Sequence, residues 1–130
     1  DLIRELEAAG GPPALLHSFS GPVDYAERAL ALGLAISFSG LAFRKGEEAT
    51  AAVARLTPAD RLLVETDSPY LSPPGAPRRR NEPRYVEITV RWLAEQRGED
   101  AEQLGAQLVA NYEQVFSRRP SPRRPSPGAR

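Results

Sequence analysis

The sequence of 130 residues contains no cysteine and no methionine, and it has a single histidine. Without cysteine the chain can form neither disulfides nor thiolate metal sites, and it has no cysteine nucleophile. Any metal ion must therefore be bound through histidine, carboxylate or carbonyl groups. Because the lack of cysteine also fits a reducing compartment, we expect a cytoplasmic protein.

Long apolar runs and a secretory leader pattern are also missing, so the sequence predicts neither a membrane-spanning helix nor a signal peptide. A composition of 41% hydrophobic and 26% charged residues is typical of one globular domain. Position 1 is aspartate, and "DLIRELEAAGG" has the pattern of the end of an amphipathic helix. We therefore expect the sequence to be a fragment or a processed product.

The formal net charge of zero conceals an uneven distribution along the chain. Residues 118–130, "RRPSPRRPSPGAR", contain five arginines, four prolines and no acid, so residues 1–117 carry an excess of negative charge. A segment of this composition cannot bury enough apolar surface to offset the entropy of ordering. We expect one domain over 1–117 and a disordered tail over 118–130. The repeated "RRPSP" suits contact with nucleic acid or an acidic surface, and a solvated terminus without such a role is the alternative.

Apolar runs and helical patterns alternate along the first half of the chain. Strands are predicted at 14–16, 34–39 and 62–67, separated by helices at 22–33 and 47–56. Alternation at this spacing indicates right-handed βαβ units and a parallel sheet. After an irregular loop at 68–82, a helix is predicted from Pro83 to Arg97 and a short one from Asp100. A last turn or two is expected to pack Tyr112, Val115 and Phe116 inward.

Polar side chains follow two of the predicted strands. His17 comes directly after the first strand, and Glu65 and Asp67 end the third. Carboxyl ends of parallel strands meet at one edge of the sheet, where ligands bind in α/β proteins. A histidine nitrogen and carboxylate oxygens at one edge are ligands for a divalent metal ion. The alternatives are a hydrogen-bonded structural histidine and acids that cap a helix or pair with arginine.

Five motifs of the sequence resemble, in order and spacing, the carboxyl-terminal half of the TatD family of metal-dependent deoxyribonucleases. They are "LLHSFSG", "GLAISFSG", "DRLLVETDSPYLSP", "RRNEP" and "ANYEQVF". The resemblance implies an α/β fold, a TIM-type (β/α)8 barrel of the metal-dependent hydrolase kind, of which this chain would supply the last three β/α units. It also implies one or two divalent metal ions (Mg, Mn or Zn) in the complete barrel, and DNA as the substrate whose phosphodiester bonds are hydrolysed.

The resemblance assigns roles to individual residues. His17 and Asp67 correspond to metal ligands, and Asp67 is expected to orient or deprotonate the attacking water. Glu65, two residues earlier, is expected deeper in the barrel, beside the ligands and not on the metal. Arg80 and Asn81 of "RRNEP" are expected to bind the substrate. Ser18 stands where the family usually has cysteine, and we interpret that position as neighbouring packing.

The family's early His-x-His, its bridging glutamate and a further histidine have no counterpart in this sequence. We therefore expect the 130-residue chain alone to be inactive, with the hydrolase activity belonging to a complete barrel. A non-catalytic remnant that binds nucleic acid or another partner is the first alternative. A related metal-dependent hydrolase with a different substrate is the second, because this barrel carries many chemistries. No membrane partner is expected.

Overall fold

The computed structural model describes residues 1–117, and the predicted disordered tail at 118–130 lies outside the described residues. Three strands form one parallel sheet in the order β1-β2-β3: β1 (Leu15–Leu16), β2 (Ala35–Phe38) and β3 (Leu62–Val64). The helices of this part of the chain are α1 (Leu2–Ala8), α2 (Val23–Ala31), α3 (Glu48–Leu56), α4 (Val86–Arg97) and α5 (Ala101–Phe116). Short 3-10 turns lie at Gly40–Phe43, Ala59–Arg61 and Pro83–Tyr85.

The helix boundaries follow from local chemistry. Asp100 caps α5, because its side chain accepts hydrogen bonds from the backbone N–H groups of Glu102 and Gln103. α4 ends at Gly98, which adopts a left-handed φ of 65° that favours glycine. Pro22 directly precedes α2, where a missing N–H costs no helical hydrogen bond.

The central strand, β2, is the most buried part of the sheet. All four residues of β2 are buried, as expected for a parallel strand covered on both faces. Phe38 lies 6.2 Å from the ring of Trp92 on α4, measured between centroids. The apolar side chains packed around β2 come from all five helices and from both flanking strands; fully buried examples are Ile3, Ala26, Val53, Leu62, Leu93 and Leu104.

The predicted architecture is confirmed in its main points. Strands and helices alternate as expected up to β3, all three strands are parallel, and β1 and β3 flank β2. The carboxyl ends of the three strands therefore lie at one edge of the sheet, which places the residues that follow them together. Over residues 1–117 the structure contains no helix that combines the length and the apolarity needed to cross a membrane.

The end of the chain differs from the prediction. A single helix, α5, replaces the expected short helix and separate last turn, and Tyr112 and Phe116 are exposed instead of packed inward. Asn111 is buried instead, because its amide nitrogen donates to the backbone oxygens of Ala59 (2.6 Å) and Leu62 (2.8 Å). Since neighbouring helical residues point about 100° apart, this anchor turns Tyr112 towards solvent.

Candidate metal centre

The carboxyl ends of β1 and β3 deliver the residues of the candidate site. His17 directly follows β1, and its side chain is 63% exposed. Glu65 extends the pairing of β3 with β2, since its backbone N–H donates to the carbonyl of Phe38 at 2.9 Å. Asp67 lies two residues further, where the chain leaves the sheet with a left-handed φ of 54°. The parallel pairing thus brings together residues that are about fifty positions apart in sequence.

The imidazole of His17 lies between the two carboxylates. Its Nδ1 is 2.5 Å from Oε1 of Glu65, and its Nε2 is 3.4 Å from Oδ1 of Asp67. One ligand atom from each of the three residues lies within 4.8 Å of the others. The predicted pair of His17 and Asp67 is therefore assembled at one point, with Glu65 on the other side of the imidazole ring.

The side chain of Glu65 is largely buried, with 21% of its surface exposed. Its Oε2 accepts a hydrogen bond from the hydroxyl of Ser37, and its buried Oε1 lies 2.5 Å from Nδ1 of His17. Burial raises the pKa of the Glu65 carboxyl above its usual value, and the negative charge of Asp67 acts in the same direction. The Ser37 hydroxyl and the His17 imidazole oppose this rise by favouring the ionised form. A cationic group beside Oε1 would relieve the cost of the charge.

Ser18 holds Asp67 in place. The hydroxyl of Ser18 donates to Oδ2 of Asp67 at 2.8 Å, and its oxygen also lies 2.7 Å from Oγ of Ser39. Ser18 itself has a left-handed φ of 45°, which directs its side chain across the strand ends. Our interpretation of this position as neighbouring packing was incomplete, because Ser18 contacts the carboxylate directly. Its bond to Oδ2 leaves Oδ1 of Asp67 facing His17.

A repeated tetrapeptide would have identified these serines in the sequence. "SFSG" occurs at 18–21 and again at 37–40, at the ends of β1 and β2. One serine of each copy contacts an acid of the third strand end: Ser18 contacts Asp67, and Ser37 contacts Glu65. A repeat at the ends of neighbouring parallel strands indicates that both copies lie at one edge of the sheet, and the register offsets the two copies by one residue.

Asn81 and Arg80, the predicted substrate-binding residues, have different surroundings. Asn81 is buried, and its amide nitrogen donates to the backbone oxygens of Thr66 and Tyr70 (2.5 Å to the latter), on either side of Asp67. Arg80 is exposed and its Nε lies 2.6 Å from Oε1 of Glu82. Asn81 thus ties the loop that carries Asp67, and the assignment of both residues to substrate binding stays a prediction.

The donor atoms fit a divalent cation. An imidazole nitrogen with carboxylate oxygens suits zinc or manganese, which accept nitrogen and oxygen ligands. Two ligand atoms bonded at about 2.0–2.2 Å to one tetrahedral ion lie about 3.4 Å apart. This is the separation found between Nε2 of His17 and Oδ1 of Asp67. Oε1 of Glu65 faces Nδ1, the position from which a carboxylate orients a metal-binding histidine.

Comparison with known proteins gives a consistent picture. The profile of the family described as TatD related DNase matches residues 1–117. A protein from Pectobacterium atrosepticum named 3'-5' ssDNA/RNA exonuclease TatD is 44% identical over 111 residues, which cover 81% of this chain and 42% of that protein. A protein of the same name from Pantoea vagans is 40% identical over 109 residues. The chain spans about two fifths of the length of these relatives.

Solved structures show the same architecture. The chain is similar to YjjV, a TatD homologue from Escherichia coli, with a TM-score of 0.80 and 29% identity, over 89% of this chain and 45% of that one. A hydrolase of the TatD family from Entamoeba histolytica has a TM-score of 0.74 at 19% identity, over 88% of this chain and 45% of that one. The predicted fold class, part of a barrel of the TIM-type hydrolases, is thereby confirmed.

Proposed function

The chain belongs to the family of TatD-related DNases, and we propose that it forms the part of a metal-dependent nuclease that supplies His17 and Asp67 to the metal site. The proposed reaction is hydrolysis of phosphodiester bonds in single-stranded DNA or RNA, the substrates that the names of its relatives give. Since the chain covers about two fifths of those relatives, the activity and substrate of a complete protein are part of this proposal.

One observation carries the proposal: the three polar groups meet at the carboxyl ends of parallel strands, with Nε2 of His17 3.4 Å from Oδ1 of Asp67. Surface acids and histidines are common without a metal ion. This cluster differs because each carboxylate is held by a serine hydroxyl, Ser18 for Asp67 and Ser37 for Glu65. Side chains held in this way are already arranged for binding, so little conformational entropy is lost when an ion arrives.

The geometry gives each residue a distinct role in the proposal. Glu65 contacts Nδ1 of His17 and keeps Nε2 directed towards Asp67. Oδ1 of Asp67 is available to the cation and to a water molecule, because Ser18 occupies Oδ2. A divalent cation bound here would supply charge neutralisation for the phosphate and a lower pKa for its water. Asp67 would orient that water and accept its proton.

The number of ligands limits what the 130-residue chain does alone. A hydrolytic site needs about three or more protein ligands, and the predicted set includes one imidazole and one carboxylate from this chain. We expect the chain alone to degrade DNA no faster than buffer containing the same metal. A chimera in which the amino-terminal part of the Escherichia coli relative precedes residues 1–117 is expected to be active, because it adds the remaining strand ends.

The experiment measures release of nucleotides from a labelled single-stranded oligonucleotide with magnesium, manganese or zinc. In the chimera, Asp67→Asn should lower the rate by about 10²- to 10⁴-fold, because an amide serves neither as an anionic ligand nor as a base. Asp24→Asn is the matched control, since Asp24 is exposed on α2 and the chemical change is the same. Calorimetric titration with manganese provides a second readout, in which His17→Ala and Asp67→Asn should both weaken binding.

Two results would overturn the proposal. One is full activity of the Asp67→Asn chimera, which would show that hydrolysis does not require this carboxylate. The other is an equal cleavage rate with and without EDTA, which would show that the reaction does not require a metal ion. Metal-dependent cleavage by the 130-residue chain alone would contradict only the argument from ligand number. Binding of nucleic acid without hydrolysis in either form would favour the alternative of a non-catalytic binding module.

A further inference from the structure

A large groove lies beside the metal centre on the same edge of the sheet. The 3-10 turn after β2 forms one wall and the loop after β3 forms the other. Its volume is about 1030 Å³, at the upper end of the range for small-molecule pockets, so it suits an extended ligand. Its lining includes Phe43, Arg44, Tyr70, Leu71, Arg78 and Arg79.

The groove is positively charged. Arg44, Arg78 and Arg79 line it, and no aspartate or glutamate does. All three arginines are exposed, and within residues 1–117 no carboxylate oxygen lies within 4.0 Å of any of them. The next arginines of the same region behave differently, because Arg80 and Arg84 both pair with Glu82. Three guanidinium groups without a carboxylate partner among residues 1–117 are available to phosphate oxygens.

The groove also presents one exposed aromatic ring. Tyr70 has 75% of its surface exposed, the largest fraction among the exposed large apolar and aromatic side chains of the described residues. Phe43, on the opposite wall, is not available in the same way, because its ring packs edge-on against Trp92 with 5.7 Å between centroids. Tyr70 therefore offers a free face on which a planar group can stack.

Backbone contacts connect the groove to the metal centre. The N–H of Tyr70 donates to the carbonyl of Asp67 at 2.8 Å, so the wall that carries the ring starts at the candidate ligand. On the other wall, Gly40 follows Ser39, which contacts Ser18 of the centre. A ligand with its reacting phosphate at His17 and Asp67 can continue into the groove without leaving the protein surface.

We propose that this groove binds a single strand of nucleic acid, with its phosphates on Arg44, Arg78 and Arg79 and one base stacked on Tyr70. The inference rests on the proposed nuclease function for the reaction, but it uses no residue of the metal centre. A single strand offers phosphates to the three guanidinium groups and an unpaired base to the tyrosine ring, the combination found in other grooves for single strands. A duplex fits less well, because its bases are stacked on one another and leave no face for the tyrosine.

The test measures binding by the 130-residue chain in EDTA, so that neither metal nor cleavage contributes. The probe is a short fluorescein-labelled oligothymidylate, followed by fluorescence anisotropy at several salt concentrations. Tyr70→Ala should weaken binding about five-fold or more, and Tyr70→Phe should bind like the wild type. Because Tyr70 is neutral and exposed, this loss is independent of net charge, including that of the arginines at 118–130.

The arginines are tested by their salt dependence. Arg78→Ala and Arg79→Ala should each reduce the slope of log affinity against log salt by about 0.7, the value for one phosphate contact on a single strand. Arg91→Ala is the matched control, since it removes the same charge from an exposed position of α4 outside the groove. Arg91→Ala should leave the slope of log affinity against log salt unchanged. Circular dichroism of each variant confirms that the fold is retained.

Each outcome supports or contradicts the proposal. Wild-type affinity of Tyr70→Ala, or an equal loss in Arg91→Ala and Arg78→Ala, would show that the groove is not the binding site. Equal affinity for a duplex that contains the same oligothymidylate would show that the surface recognises only the negative charge of the phosphates. Failure of the nuclease proposal is distinguishable, because it shows in the rate of the Asp67→Asn chimera, whereas failure of the groove shows in metal-free binding.

Discussion

Replacing Gly40 with alanine tests whether the contact between the two groove walls is as close as the structure shows. A Cβ atom at Gly40 would lie 1.9 Å from the backbone oxygen of Leu71 and 3.0 Å from its carbonyl carbon. Atoms of this kind do not approach closer than about 3.0 Å, so the walls would have to separate by about 1.1 Å. The obstacle is backbone, which cannot turn aside as a flexible side chain does.

The magnitude follows from two opposing effects. Overpacking of this kind costs about 1–3 kcal/mol of the free energy of unfolding. Alanine also restricts the unfolded chain, which offsets about 0.4–1 kcal/mol of that cost. Gly40 does not have a left-handed φ, so no additional backbone strain is expected. The net expectation for Gly40→Ala is a loss of about 1–2 kcal/mol.

Urea unfolding followed by circular dichroism measures this loss, and Gly105→Ala provides the control. Gly105 lies inside α5, and a Cβ atom there would have no heavy atom within 4 Å. The same substitution should therefore stabilise the chain by about 0.5–1 kcal/mol through helix propensity. Opposite signs for one chemical change separate the steric effect from the general effect of replacing glycine. A Gly40→Ala midpoint equal to or above that of the wild type would refute the reasoning.

Three further predictions concern polar contacts, two at the site and one that anchors α5. In the chimera, Ser18→Ala should lower manganese affinity about 10- to 100-fold, because Asp67 loses the hydrogen bond that holds it. Ser18→Cys should recover part of this affinity, because a thiol is a weak donor, and calorimetric titration measures both variants. Asn111→Leu removes the amide donor from the buried carbonyl of Leu62 and the partly buried carbonyl of Ala59, and it should cost about 2–4 kcal/mol in urea unfolding. Tyr112→Leu at the exposed neighbour should change stability by less than about 0.5 kcal/mol. Because the folded-state pKa of Glu65 is raised, its ionisation destabilises the fold above the ordinary value of 4.5, so Glu65→Gln should raise the melting temperature at neutral pH and lose that advantage in acid.

The sheet and the location of the site could be predicted because both depend on patterns of burial. A strand such as β2, buried on both faces, has a continuous apolar run, and the alternation with helices fixes parallel pairing. Once strands are parallel, residues that follow β1 and β3 must emerge at the same edge. The convergence of His17 and Asp67 follows from that topology, without knowledge of any side-chain conformation.

The rest depends on contacts that sequence periodicity does not specify. The rotation of α5 is set by the hydrogen bonds of Asn111 to carbonyls about fifty residues away, and apolarity alone favoured Tyr112 as the inward residue. Asn81 is likewise buried by partners in a loop eleven to fifteen residues earlier, whose path no propensity predicts. In a sequence, a polar side chain that forms hydrogen bonds with the protein's own backbone cannot be distinguished from one that binds a substrate.

The backbone at Asp67 restricts how this site can change during evolution. With a φ of 54°, the position accepts aspartate, asparagine or glycine readily and other residues at a cost in strain. Of the readily accepted residues, only aspartate carries a charge, so a drift to asparagine or glycine keeps the fold and loses the carboxylate. Glutamate, the other acidic residue, would meet both the strain and a longer side chain. A lineage that loses Asp67 can therefore regain an acid without backbone strain only by the return to aspartate itself, so this backbone conformation selects one acidic residue at the position.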